Sequence, residues 1–572
     1  MKFLYALLIP VCACGTVSAQ NVPVVGPGRA VDPFHYSIQK SASFTKGAVS
    51  SAHPLASLAG AEILRRGGNA FDAAITTQLV LAVVYPGAGN IGGGGFLVAH
   101  RSGGENISID YRETGPSKAT RDMYLDKNGN VVPKLSQAGH LASGVPGTVA
   151  GLFATAEYAS MPFRTLIQPA IDLAENGFVL TEHEAAGLNA TRESFIRNST
   201  RPSAFLRDTK WKAGDTLIQK ELAATLKRIR DLGKKGFYEG ETARLIAEEM
   251  KRGGGIITAD DLLHYTAKKR TALEFTYKGY TIVGMPPPSS GGIIVWQLMK
   301  MMEKKPLANY GFESVESVHL MAEAERRAFA DRAEHMGDPD FWKVPVAGMT
   351  NESYLQNRMN DFDAAKATPS GNVTAGQIKE SEQTTHFSIM DGMGNMVSVT
   401  TTLNGGYGSR TVVGGAGFLM NNEMDDFSAK PGVPNMYGAV GGDANAIAAG
   451  KRMLSSMTPT LVLKDRQPFV VAGTPGGTTI PTSVFQTLVD IIDYHMSAPD
   501  AVNKPKFHHQ WLPDELDVEK GFPEEVRKKL EAMGYTIKER SGIGRTEVIK
   551  ILKDGKRETA ADIRGDDSVA GY

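Results

Sequence analysis

Two adjacent threonines, Thr384 and Thr385, open the stretch QTTHFS at residues 383–388. A threonine hydroxyl is a weak nucleophile until a base takes its proton, and one available base is the residue's own α-amine. An internal threonine has no such amine, but cutting the Gln383–Thr384 bond creates one. The free α-amino group titrates at about 7.7–8.0, close to working pH, which suits a general base. Thr384 then carries nucleophile and base together. A Thr-Thr pair is also ordinary strand material, and as such it would open a strand at a sheet's exposed edge.

Other residues offer complementary chemistry. Arg112, in DYRET, is the side chain best shaped to grip a carboxylate in two-pronged fashion. It could equally make a strand-end ion pair with Asp110 or Glu113. Asp425 and Asp426 read as an acidic site, a loop or a helix cap. Gly476 and Gly477 precede an apolar-periodic helix, where free backbone N–H groups and the helix dipole favour negative charge. A plain strand-to-helix turn explains the same glycines. His508 and His509, with Asp514 or Glu515, suggest a metal site, but adjacent histidines on a strand face opposite ways and are read as structural.

These groups need a scaffold. Residues 50–85 read as helices, with Asn69 as N-cap before AFDAAITTQLVLAVV. GAGNIGGGGFLVAH is a glycine-rich turn into a strand. It lacks the lysine and hydroxyl of a phosphate loop, so its glycines serve close backbone approach. ISIDYRETGP is a strand that places Arg112 at its end. Helical periodicity dominates 150–270 and 312–360, with the rigid connector MPPPSSGG (285–292) between. Residues 362–382 are polar, with proline and glycine, and read as a solvated loop leading to the threonine pair. THFSIMD–GMGN–MVSVTTT and TPTLVLKDRQPFVVAG read as hairpins, and TPGGTT leads into the helix IPTSVFQTLVDIIDYHM. Sheets covered by helices follow.

Composition bounds the rest. The 572 residues are 42% hydrophobic, and 62 Lys+Arg balance 62 Asp+Glu, so no charge excess points to nucleic acid or an anionic membrane. MKFLYALLIPVCACGTVSAQ reads as a secretory signal, residues 1–19, cut before Gln20. Both cysteines, Cys12 and Cys14, fall inside it, so the mature chain has no disulfide or thiol chemistry. The most apolar later run, Ala73–Val84, is too short to span a membrane. The periplasm is the expected location, with full secretion the alternative.

Several motifs now combine. TTHFS, DYRET (110–114), PPPSSGG (286–292), AEAERRAFADR (322–332), GDPDF (337–341), NNEMDDFSAKPGVPNMYGAVGGDAN (421–445), KRMLSSMTPT (451–460), TPGG (474–477) and FHHQWLPDEL (507–516) occur in this order. Together they resemble the γ-glutamyltranspeptidases, a family of N-terminal-nucleophile hydrolases, over nearly the whole mature chain. The resemblance implies an α+β fold, a four-layer αββα sandwich. It implies a precursor that cuts itself into a large subunit, 20–383, and a small catalytic subunit, 384–572, which stay paired. Thr384 is then the nucleophile and Thr402 a threonine hydrogen-bonded to it. Arg112, with Ser455 and Ser456, would bind the α-carboxylate of a γ-glutamyl group, and Asn404, Glu423 and Asp426 its α-ammonium. Gly476 and Gly477 would supply oxyanion donors, and Tyr437 would cap the site from a lid loop, Pro431–Gly442. The implied activity is cleavage of glutathione and related γ-glutamyl compounds through a threonyl ester, with transfer to water, amino acids or peptides and no cofactor or metal. The chain departs from the family pattern at Thr401, Met453, Thr474 and Thr478-Thr479. A related amidase acting on glutaryl side chains and an exported solute-binding protein are the competing readings.

Overall fold

The computed structural model describes residues 31–373, 385–430 and 442–572. The signal segment, Thr384 and Tyr437 lie outside them. Two seven-stranded sheets form the centre. The strands of both are β1 (Ser41–Phe44), β2 (Ala48–Ser51), β3 (Gly94–His100), β4 (Asn106–Asp110), β5 (Lys268–Arg270), β6 (Leu273–Tyr277), β7 (Tyr280–Gly284), β8 (Thr385–Met390), β9 (Met396–Thr402), β10 (Thr460–Lys464), β11 (Gln467–Gly473), β12 (Glu547–Ile551), β13 (Arg557–Ala561) and β14 (Ser568–Gly571). One sheet runs β14-β2-β8-β9-β3-β4-β5 and the other β1-β13-β12-β11-β10-β7-β6. Every pairing in both is antiparallel.

Helices cover both outer faces. α1 (Pro54–Arg65) and α2 (Ala70–Val84) pack on the first sheet, burying Leu79, Val80 and Val83 with Phe387, Ile389, Val397 and Val399. α3 (Gly291–Met302), α4 (Val315–His335) and α5 (Thr479–Ile492) cover the second, with Val295, Leu298, Val484 and Leu488 packed with Val462, Val470 and Ala472. The order helix, sheet, sheet, helix is the expected four-layer αββα sandwich. Asn69 caps α2 as its sequence indicates: its Oδ1 accepts from the N–H of Phe71 at 2.9 Å and of Asp72 at 3.0 Å, while Asp72 accepts from the Asn69 N–H at 2.8 Å. All fifteen residues of α2 are buried, yet among the described residues no helix is long and apolar enough to cross a membrane.

The strand that follows the threonine pair departs from expectation. β8 lies inside its sheet, between β2 and β9, and every one of its residues is buried. Its alternation marks two different buried faces. Phe387 and Ile389 meet the helices, whereas the polar positions meet the other sheet. The Ser388 hydroxyl donates to Glu547 O at 3.0 Å, and Ser398 donates to Ala472 O at 3.1 Å. His386 lies in the same layer, its Nδ1 2.9 Å from Thr400 Oγ1 and its Nε2 3.1 Å from Ser388 Oγ. Because Ser388 spends its proton on a carbonyl, Nε2–H must donate to it and Nδ1 must accept from Thr400. Burial takes the His386 pKa down to about 3, so the ring is neutral. Phe96, Val98, Leu461 and Val471 fill the rest of this layer.

Both expected hairpins form. β8 and β9 pair without a slip, Thr385 opposite Thr401 through Met390 opposite Met396. β10 and β11 turn through Asp465 and Arg466, which hold φ of 51° and 63°. That is the two-residue, left-handed turn favoured by sheet twist, made here without glycine.

Candidate active site

Arg112 stands two residues beyond the end of β4 and is 1% exposed. Its backbone N–H donates to Asp110 Oδ1 at 3.0 Å and its carbonyl accepts from the Tyr265 hydroxyl at 2.7 Å. Asp110 is committed elsewhere, to Arg270 at 2.7 Å and Arg452 at 3.2 Å. The Arg112 guanidinium turns instead to Glu423 and Asp426, one nitrogen to each, and donates at 3.2 Å to the carbonyls of Met453 and Leu454. Glu113 lies 3.7 Å from Nη1. The arginine and the two acids are therefore paired with each other. Burial would lower the Arg112 pKa, but Glu423, Asp426 and Glu113 hold it above its ordinary value. Burial pushes Glu423 well above the usual carboxylate range, against the pull of Arg112.

The acids are held by two asparagines that precede them. Glu423–Asp426 is one turn of 3₁₀ helix. Asn421 accepts from the N–H of Gly144 at 2.8 Å and of Glu423 at 3.0 Å, and donates to Gly92 O and Gly144 O at 2.9 Å. Asn422 offers its carbonyl to Asn404 Nδ2 at 3.0 Å and its Oδ1 to the Gly405 N–H at 2.7 Å. Asn404 itself adopts φ of 72°, a conformation asparagine tolerates better than most residues. Its N–H donates to Thr402 Oγ1 at 2.7 Å, fixing that hydroxyl at the end of β9.

Ser455 and Ser456 arrive on the chain entering β10. The connector at 285–292 braces them: Ser290 donates to Ser455 O through both its N–H, at 2.7 Å, and its hydroxyl, at 2.8 Å. Arg332, buried on α4, reaches Ser290 Oγ at 2.6 Å and Ser456 Oγ at 3.1 Å. Gly476 and Gly477 hold φ of 139° and 62° just before α5. A Cβ on Gly476 would meet Thr479 Oγ1 at 2.4 Å. Among the described residues, neither glycine's N–H has an acceptor.

Eight of the nine candidates that fall among the described residues line one cavity of about 20 Å³: Arg112, Thr402, Asn404, Glu423, Asp426, Ser455, Ser456 and Gly477, with Met457 and Ile480 completing it. Gly476 stands beside it in the chain. Cavities of about 770, 540 and 490 Å³ elsewhere contain none of these residues. A space of this size accommodates about one water. Sequence reasoning gave no part to Asn421, Asn422 and Arg332, although each sits inside a motif it quoted, and it named Glu113 only as a possible ion-pair partner of Arg112. Their partners are distant in sequence, and no local pattern announces them. His508 and His509 do point apart. His508 lies 2.8 Å from Thr482 Oγ1 and His509 3.4 Å from Asp514. Among the described residues no group of three or more ligand side chains could hold a metal.

The gamma-glutamyltranspeptidase family model matches residues 56–572. The chain belongs to this family. The protein is an enzyme that handles γ-glutamyl groups. It is 45% identical over 573 residues to the glutathione hydrolase proenzyme of Escherichia coli (strain K12), covering 99% of this chain and 98% of that one. In structure it is similar to Helicobacter pylori gamma-glutamyltranspeptidase, at 44% identity and a TM-score of 0.56 over 60% of this chain and 97% of that one. It is similar too to a cephalosporin acylase from Bacillus halodurans, at 25% identity and a TM-score of 0.82 over 95% and 99%. The fold is thus shared with solved proteins that carry different names.

Proposed function

We propose that the chain is exported through its signal at residues 1–19 and cuts itself between Gln383 and Thr384. The products, 20–383 and 384–572, stay paired as a glutathione hydrolase and γ-glutamyltransferase of the periplasm. The strand pairing supports this division. β8, beginning at Thr385, is held between β2 from the large piece and β9 from the small one. Cutting before it leaves every ladder of the sandwich intact. The ladder pairs Thr385 with Thr401, and Thr402 is the next residue along, which favours it as the hydroxyl partner of Thr384.

In this reading the Thr384 amine takes the hydroxyl proton, and the oxygen attacks the γ-carbonyl of glutathione. The oxyanion collects N–H donors at Gly476 and Gly477, at the positive end of α5. The amine product leaves with the proton, and water or an amino acid or peptide acceptor then takes the γ-glutamyl group from the ester. Self-cleavage uses the same hydroxyl against the Gln383 carbonyl. Arg112, with Ser455 and Ser456, receives the donor's α-carboxylate. Glu423 and Asp426 exchange that arginine for the donor's α-ammonium, with Asn404 alongside and Tyr437 capping the site.

The observation that carries this reading is the convergence of one arginine and two buried acids on the cavity that also holds Thr402 and Gly477. The likeness to a cephalosporin acylase favours a second reading, a glutaryl amidase. A glutaryl group has the γ-carbonyl but no α-ammonium, so it would offer Glu423 and Asp426 no cation. Comparing anilides decides between them. The γ-glutamyl anilide should turn over about 100-fold faster than the glutaryl anilide, the worth of a pair of charge-assisted contacts. Equal rates would favour the amidase.

A further inference from the structure

One buried acid beside the cavity has no role so far. Glu113 is 0% exposed, and among the described residues neither of its carboxyl oxygens has a hydrogen-bond partner. It is fixed in place: a Cβ on Gly94 of β3 would meet Glu113 Oε2 at 2.5 Å. Its nearest charge is Arg112, at 3.7 Å, too far for a hydrogen bond. Arg112 thus faces three buried carboxyl groups, Glu113, Glu423 and Asp426, and bonds only two of them.

We propose that Glu113 is a positioning residue that acts through Arg112: kept neutral, it leaves the guanidinium's charge to the donor's α-carboxylate, and on ionising it draws that charge to itself. This rests on the reading of Arg112 given above. The surroundings favour the neutral form. From its own segment Glu113 faces Asp110, Tyr111 and Arg112, and from the 3₁₀ turn Glu423 and Asp426. Tyr238 and Tyr265 face it from the helical layer. Burial raises all three tyrosines, so none supplies charge near neutral pH. Arg112 is the one cation in this set. Burial, aided by Asp426 and Asp110, pushes Glu113 up to about 8 against the pull of that arginine. Once ionised, a carboxylate buried without partners must find a cation, and the nearest is the one the donor needs.

The test is the pH dependence of donor KM and kcat, from pH 6 to 10, for wild type and E113Q with γ-glutamyl p-nitroanilide. Dividing wild-type KM by E113Q KM removes the donor's own ammonium titration, which both share. That ratio should rise about 30-fold between pH 7 and pH 9.5, roughly one decade per unit beyond the ionisation, while the kcat profiles keep the same shape. A flat ratio overturns the proposal, because a carboxyl that merely fills space shifts stability and not this limb. Should E113Q fail to fold, wild type alone decides. The alkaline rise in KM should persist with glutaryl p-nitroanilide, which keeps the carboxylate that Arg112 would bind and has no ammonium of its own to titrate. A KM that stays flat with this donor overturns the proposal. Wild type that turns over no γ-glutamyl donor at any pH sinks the parent reading instead.

Discussion

Two of the buried arginine clusters in this sandwich are built on opposite principles. The Arg112 cluster sets one cation against three acids, each of them no more than 8% exposed, with a cavity beside it. The second cluster, on α4, sets Arg326 and Arg327 against one buried acid, Glu323, and reaches Asp514 and Asp361 at the surface. There the bonding is complete. Arg327 meets Glu323 at 2.6 Å and Asp361 at 2.8 Å, and Glu323 also accepts from the Tyr535 hydroxyl at 3.1 Å. Burial would raise Glu323, but the two arginines take it down to about 2. The first cluster carries surplus acid, and among the described residues the Glu113 oxygens have no hydrogen-bond partner. The second carries surplus cation with each buried charge answered. Acid in excess of cation beside a cavity leaves polar groups that a ligand can engage, and a closed network is what a scaffold requires.

The contrast can be broken by mutation. Glu323→Ala removes the one buried acid that both arginines share and should cost about 3–5 kcal/mol, read from urea unfolding, with donor KM of the folded fraction unchanged. Arg112→Gln should do the reverse. The acids it leaves can protonate, so stability changes less, while kcat/KM for the γ-glutamyl donor falls about 100-fold, near 2.7 kcal/mol. Asp361→Asn, at a carboxylate 63% exposed, should cost under about 1 kcal/mol. If Glu323→Ala and Arg112→Gln gave matching profiles, the two clusters would be one kind of object and the distinction would fail.

Their pH signatures also differ in sign. Glu323 is depressed from 4.5 to about 2, so its contribution is present above 4.5 and lost as pH falls toward 2. Glu113 is raised from 4.5 to about 8, so its contribution is full below 4.5 and lost as pH rises through 8.

Much of the frame was legible in the chain because it is local chemistry. The Asn69 cap, both hairpins, the glycine-rich entry to β3 and the connector at 285–292 all stand where their residues indicate. Alternation along β8 correctly separates two faces, but it cannot say whether the polar face meets water or another sheet's carbonyls. Here it meets carbonyls, so the exposed edge expected for this strand is an interior. At the site, motif matches brought eight residues to one cavity. They could not show that Arg112 bonds Glu423 and Asp426, since 311 and 314 residues separate these partners. Glu113 stands beside Arg112 in DYRET, but its burial without a hydrogen-bond partner among the described residues cannot be read from that motif.

The central claim is that a peptide bond is severed so that Thr384 gains an amine of its own. N-terminal sequencing of the purified protein, after separation on a denaturing gel, tests it directly. Two fragments are expected, the smaller beginning TTHFS, with Thr384→Ala running as one uncut, inactive chain. An active preparation in which the polypeptide stays whole through residues 383 and 384 would contradict the account.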